Sequence, residues 1–346
     1  MKLIGKADFS NFVDDLIEND TREVIGVQAK SNKFAFDPLG SSEDLRLDYD
    51  VTILPPKKYF MPQRETLVKY NTHEGEMKPV NEVIPRIIIG VHPYDIIAIQ
   101  QMDKVFEETH SDENYLEKRR QSVLVGVNMK NASDWSFADT MGTSTTESGY
   151  DLMLTDIGEE YAVEIGSVRG SELLNQAKTK LNDVGMEEID KVKQFKEELP
   201  EKFRSDPKFD PYELPKLLYE YYGKDEFWEE NAEDCLSCGT CNLVCPTCYC
   251  FDVKDVNDIT LTKGERLRTW DGCMLEAFAE VAGDENFREE KAARYRHRYM
   301  RKGRYMYNKF GDIACVGCGR CSEQCLPDIA DPVEVFNQMK EGSDEI

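Results

Sequence analysis

Apolar residues recur at intervals of three and four over residues 8–17. Phe9, Phe12, Val13, Leu16 and Ile17 share one face, which predicts an amphipathic helix with a core-packing stripe. A β-type segment is predicted at residues 23–28, followed by an acidic loop over residues 44–50. Residues 86–91 contain Ile87-Ile88-Ile89 and predict a buried strand. This strand runs through His92-Pro93-Tyr94-Asp95 into a helical pattern over residues 96–106, with Asp95 expected as its cap. Residues 122–128, Ser-Val-Leu-Val-Gly-Val-Asn, predict a second buried strand. Residues 150–155 and 160–166 bracket Asp156-Ile157-Gly158 and predict a hairpin. Strand, helix, strand and hairpin together predict a mixed α/β domain over residues 1–185.

Other stretches break the pattern. Residues 53–62 contain Pro55-Pro56, which cannot lie inside a helix or a central strand, so an extended surface arm is expected. Residues 186–233 are dense in charge and predict a solvated helical linker, anchored by Phe227 and Trp228. Residues 273–282 predict a helix closed by Gly283. Asp331-Pro332-Val333-Glu334 has the cap, first-turn proline and capping-box glutamate of a helix start, with Val333, Phe336 and Met339 as its buried stripe. The expected fold class is α+β: the mixed α/β domain, the linker, and a mainly helical ferredoxin-like domain over residues 234–346.

Cysteine usage sharpens this picture. All 11 cysteines of the 346-residue chain fall at or after Cys235. Eight form two runs, Cys235-Leu-Ser-Cys238-Gly-Thr-Cys241-Asn-Leu-Val-Cys245 and Cys315-Val-Gly-Cys318-Gly-Arg-Cys321-Ser-Glu-Gln-Cys325. Both read C-x2-C-x2-C-x3-C, the spacing of two-cluster ferredoxins. Three thiolates two residues apart wrap three irons of a cubane, and the fourth serves the other cluster. This assigns Cys235, Cys238, Cys241 and Cys325 to one [4Fe–4S] centre, and Cys315, Cys318, Cys321 and Cys245 to a second. Structural zinc sites pair two C-x2-C motifs per metal and have no use for the x3 cysteine. Disulfides would require an oxidising compartment, and no signal-peptide pattern is visible. Three cysteines lie outside the runs: Cys248, Cys250 and Cys273. They are read as small buried residues shielding the clusters, the alternative being a third metal site with a non-cysteine fourth ligand.

The net charge is −24, which argues against non-specific nucleic-acid binding and against docking on an anionic membrane. Residues 288–309 depart from it, with nine Lys/Arg against two Glu and four interleaved tyrosines. Beside anionic clusters this segment is read as local charge compensation or as a face for an acidic partner. Neither G-x-x-x-x-G-K-[ST] nor G-x-G-x-x-G occurs. No apolar stretch is long enough to span a bilayer, and a cytoplasmic location without membrane insertion is expected.

Several longer motifs accompany the runs. They are Cys245-Pro-Thr-Cys-Tyr-Cys250, Arg268-Thr-Trp-Asp-Gly-Cys273, Asn286-Phe-Arg288, Pro55-Pro-Lys-Lys-Tyr-Phe60, Gly90-Val-His-Pro93 and Gly149-Tyr-Asp-Leu152. With them, nearly the whole chain resembles the β subunit of archaeal cytoplasmic sulfhydrogenases, which are NAD(P)-linked NiFe hydrogenases. It also resembles the related iron–sulfur subunit of anaerobic sulfite reductases. The resemblance implies a non-catalytic electron-transfer subunit with two [4Fe–4S] clusters. It would relay electrons between a catalytic subunit of NiFe hydrogenase or sulfite reductase type and a flavin/NAD(P)-binding subunit. The eight cluster cysteines carry over one by one. Cys325-Leu326-Pro327 departs slightly from the family's Cys-Pro. A larger departure lies in the N-terminal domain, where family members carry four further cysteines that look like another cluster site. The matching positions here are Tyr94, Met129, Ser136 and Ala138, none a thiolate. Rival readings are a heterodisulfide reductase or formate dehydrogenase type of partner, a flavin-binding enzyme in its own right, and a structural adaptor.

Overall fold

The computed structural model describes residues 1–178 and 181–344. In chain order the first part contains β1 (Lys2–Gly5), α1 (Lys6–Asn19), β2 (Glu23–Lys30), β3 (Lys33–Pro38), β4 (Arg64–Asn71) and β5 (Glu76–Pro79). It continues with β6 (Arg86–Val91), α2 (Pro93–Glu107), α3 (Glu113–Arg120), β7 (Ser122–Val127), β8 (Leu152–Asp156), β9 (Glu160–Ile165), α4 (Val168–Asn175) and β10 (Asn182–Asp183). Eight strands form one sheet in the order β10-β1-β9-β8-β7-β6-β2-β3. Its centre, β2-β6-β7-β8, is parallel, and its flanks are antiparallel. The apolar runs of β6 and β7 lie in this parallel centre, where nearly every position is buried and an alternating pattern would bury polar groups. The helix over 8–17 and the hairpin about Asp156 form as expected from their periodicity.

The second part contains α5 (Met186–Glu198), α6 (Leu214–Tyr221), α7 (Asp225–Ala232), α8 (Thr240–Leu243), β11 (Phe251–Asn257), β12 (Lys263–Trp270), β13 (Glu280–Val281) and β14 (Glu285–Asn286). It ends with α9 (Lys291–Met300), α10 (Met306–Phe310), α11 (Arg320–Glu323) and α12 (Pro332–Asp344). A π-helical turn, Arg301–Tyr305, joins α9 to α10. At its middle Gly303 lets the helix press onto Leu218, where a Cβ would collide. A second core gathers Trp228, Tyr295, Tyr299 and Phe336 around Leu214 and Leu218. Thus α6 and α7, in the segment expected to be a solvated linker, bury one face each; Trp228 donates its indole N–H to the Tyr221 carbonyl at 2.7 Å.

Four further expectations differ from the structure. The C-terminal part is not mainly helical: β11 and β12 pair with β4 and β5 in a four-stranded antiparallel sheet, β11-β12-β4-β5. These strands read as polar because most of their side chains are exposed. The Pro55-Pro56 stretch is no surface arm. It forms a short turn, Pro56–Tyr59, and buries Pro56, Lys57, Phe60 and Met61 between the two parts. Residues 273–282 are not a helix; they form a tight turn, Glu276–Ala279, and enter the β13–β14 hairpin, whose bend holds Gly283 at φ +99°. Asp95 does not cap α2. His92 takes the cap position, and the Asp95 carboxylate faces Arg320.

Candidate metal centres

Each cysteine run folds by the same local rule. The second residue after the first cysteine has positive φ, Ser237 at +51° and Gly317 at +64°. So does the residue after the second cysteine, Gly239 at +73° and Gly319 at +76°. A short helix then starts at once, α8 in the first run and α11 in the second. These left-handed residues curl the loop back on itself and turn backbone N–H groups toward sulfur. The Ser237 N–H lies 3.4 Å from Cys235 Sγ. Glycine is needed at 319, where a Cβ would come within 2.6 Å of the Trp135 carbonyl carbon.

Folding brings Cys235, Cys238, Cys241 and Cys325 to one cavity. It brings Cys245, Cys315, Cys318 and Cys321 to another. Each cavity therefore takes three thiols from one run and the fourth from the other. The first is lined by the exposed Cys238 and the exposed Leu236, and Leu326 beside Cys325 is exposed as well. The second is lined by Phe137 from the N-terminal part and Phe336 from α12. Among the described residues, no three His, Cys, Asp or Glu converge tightly enough for one metal ion. A tetrahedral zinc would need its sulfurs within about 3.8 Å of one another.

The electrostatics suit an anionic occupant. Burial pushes the Cys241 and Cys315 thiols up to about 12, so unligated they stay neutral. The exposed Cys238 moves down, through a hydrogen bond with the Thr240 hydroxyl. Buried cations stand among these sulfurs. Lys57 Nζ donates to the Cys245 and Cys248 carbonyls at 2.7 and 2.8 Å, and burial lowers it to about 8. Lys302 Nζ donates to Thr247 Oγ1 at 2.7 Å; burial opposes its charge, but Cys245 and Cys248 hold its pKa above the usual value. Arg298 lines the second cavity, its charge opposed by burial and favoured by Cys241 and Cys321. Among the described residues, none of Lys57, Arg298 and Lys302 forms an ion pair with a carboxylate. A thiolate-bound cluster, which carries net negative charge, fits this donor set and this charge.

The positions matching the family's additional cysteines also converge. Tyr94, Met129 and Ala138 pack with Val316 and Cys318, and the Ser136 hydroxyl donates to the Gly317 carbonyl at 3.0 Å. They form a closed contact between the N-terminal part and the second run. Cys248, Cys250 and Cys273 line neither four-thiol cavity and surround a third one. Sequence reasoning missed Lys57, Arg298, Lys302, Arg320 and Asn242 as site residues. The basic run over 288–309 in an acidic chain was the one usable signal, and it pointed to Arg298 and Lys302.

The family described as "4Fe-4S dicluster domain" matches residues 234–329. Across the whole chain, sulfhydrogenase 2 subunit beta of Pyrococcus furiosus is 32% identical over 319 residues, covering 92% of this chain and 92% of the relative. The chain belongs to the sulfhydrogenase beta-subunit family. This family membership extends the likeness beyond the dicluster domain to the eight-stranded sheet. Among the described residues of this sulfhydrogenase beta-subunit homologue, no helix is long and apolar enough to cross a membrane.

Proposed function

We propose that the chain is an electron-transfer subunit holding two [4Fe–4S] clusters, one on Cys235, Cys238, Cys241 and Cys325, the other on Cys245, Cys315, Cys318 and Cys321. The observation that carries this reading is the exchange of the fourth thiol between runs, which keeps the two cavities adjacent. When bound, such clusters take up and release single electrons. The chain's own residues do the rest. Phe137 and Phe336 exclude water from the second site, and Lys57, Arg298 and Lys302 supply positive charge beside sulfur. The exposed Cys238 edge, with Leu236 and Leu326, offers a short approach for a redox partner.

In this reading the dicluster region spans residues 234–346 and the sheet domain residues 1–185. The partners are a catalytic redox protein and a flavin/NAD(P)-binding subunit, and the complex works in the cytoplasm. The P. furiosus relative is by name a sulfhydrogenase subunit, which favours a hydrogenase type of catalytic partner. The test is anaerobic purification followed by metal analysis and EPR on dithionite reduction. At least about eight irons per chain and an interacting pair of reduced-cluster signals are expected. Zinc in place of iron, or clusters inert to dithionite, would sink the proposal.

A further inference from the structure

With eight thiols in two cavities, three of the 11 cysteines remain. They are far apart in sequence, yet the structure gathers them. Cys248 and Cys250 follow the first run, and Cys273 arrives at the end of β12. All three line one cavity, distinct from the two four-thiol cavities. Asn242, itself buried within the first run, ties two of them together: its Nδ2 lies 3.7 Å from Cys248 Sγ and 3.5 Å from Cys273 Sγ. Its Oδ1 accepts from the Met274 backbone N–H at 2.9 Å, which fixes the amide's orientation.

Shielding alone does not account for this cavity. A void lined for packing would carry apolar side chains, because an empty apolar space is the least costly kind. This one is lined by three thiols and three cations, Arg298, Arg301 and Lys302, beside Tyr249, Met306 and Ala314. Arg298 is buried, and its Nε has no hydrogen-bond partner. Cations buried without carboxylates are costly unless an anion joins them. Arg298 and Lys302 also line the second four-thiol site, whereas Arg301 lines this cavity and neither of the other two; three thiolates here compensate it, and thiolates persist in a buried site when metal binds them.

We propose that Cys248, Cys250 and Cys273 hold a third iron–sulfur cluster, bound through three thiolates and lying beside the second four-thiol site. Each thiol gives up its proton on ligation, and the three new negative charges face Arg298, Arg301 and Lys302. Three thiolates serve three irons, so the fourth corner is either empty or an iron open to an outside ligand. The Asn242 amide donates to two of the ligating sulfurs and positions them. Cys248 lies three residues beyond Cys245 of the second site, and Lys57 binds the carbonyls of both. The inference goes beyond the two-cluster reading and does not depend on any partner.

The test compares the full chain with Cys248→Ala/Cys250→Ala/Cys273→Ala, both purified anaerobically with iron and sulfide supplied. Iron and acid-labile sulfide per chain are measured, with EPR of the oxidised and reduced states. The expected result is about eleven or twelve irons in the wild type and about eight in the variant, which keeps the interacting reduced pair. An oxidised-state signal absent from the variant would assign a three-iron cluster; its absence with about twelve irons would assign an open-cornered cubane. About eight irons in the wild type overturns the proposal, whatever the variant does. So does an equal iron content in both proteins, or one zinc per chain lost with the three thiols. If the triple variant fails to fold, Mössbauer spectra of the iron-57-loaded wild type decide the matter, since a third environment is present or it is not. Loss of the interacting pair in the wild type would instead refute the two-cluster reading.

Discussion

Arg320 and Asp95 form a two-pronged ion pair, Nη1–Oδ1 2.7 Å and Nη2–Oδ2 2.6 Å, with both side chains wholly excluded from solvent. Arg320 sits between Cys318 and Cys321; Asp95 lies in the first turn of α2 on the sheet domain. Two more donations, from Nε to the Thr52 carbonyl and from Nη2 to its hydroxyl, complete the guanidinium's partners. The pair straps the second cysteine run to the parallel sheet. Asp95→Ala leaves a buried cation unpaired and should cost about 3–5 kcal/mol of stability. Asp95→Leu/Arg320→Met should cost less than that single change, because no charge is stranded. Anaerobic denaturant unfolding measures both; a double variant with the sum of the single effects would contradict this account.

Gly319→Ala tests the loop geometry of the second run. At φ +76° an alanine is strained by about 1–2 kcal/mol. Its Cβ would also meet the Trp135 main chain, which cannot swing aside. Gly142→Ala is the control, at φ +66° with open space around it. Gly319→Ala should lower thermal stability more than the control and lose iron from the second site selectively.

Cys325→Ala should impair the cluster of the first run, although it lies in the second. Cys245→Ala should do the reverse. EPR of the reduced variants reads which signal survives. If each substitution spoils the cluster of its own run instead, the exchange of fourth thiols is wrong.

Lys57→Met removes a buried charge held against the Cys245 and Cys248 carbonyls. A cation beside an anionic cluster favours the reduced form. At an assumed separation of about 7 Å and an effective dielectric near 20, its removal amounts to about 2.4 kcal/mol. The midpoint potential of the second cluster should fall by about 100 mV, as read by redox titration, with the first cluster less affected.

His297 on α9 gives the chain a pH dependence. Burial, with Arg288 adding to it, lowers its pKa to about 4 from the ordinary 6.5. The folded chain keeps the ring neutral while the unfolded chain takes up a proton below pH 6.5. Stability from this group is therefore complete above pH 6.5 and falls as pH drops toward 4. After allowance for the partial exposure of the ring, the loss is on the order of 1 kcal/mol. His297→Gln should flatten that part of the curve in anaerobic unfolding measured from pH 7 to 4.

The cysteine spacing and the apolar runs belong to neighbouring residues, so the sequence by itself determined what rests on them. It determined the two four-thiol groups, the buried strands about Ile88 and Leu124, the helix over residues 8–17 and the start of α12 at Pro332. Spacing of two and three residues sets a local backbone path, and local paths leave a readable pattern. Only the tertiary structure decided which charges are buried. Lys57 reads as one of two adjacent surface lysines, yet its partners are carbonyls 188 and 191 residues away. Asp95 reads as a helix cap, but an arginine 225 residues on makes the stronger demand on its carboxylate. The pairing of β4 with β12, across some 190 residues, turned a polar stretch into a sheet. Cys248, Cys250 and Cys273 have no common spacing, and it is the pairing of β11 with β12, which sets Phe251 opposite Trp270, that carries Cys273 to the other two. Burial and ion pairing act through space, so their effect on a residue is set by neighbours that its sequence position does not reveal.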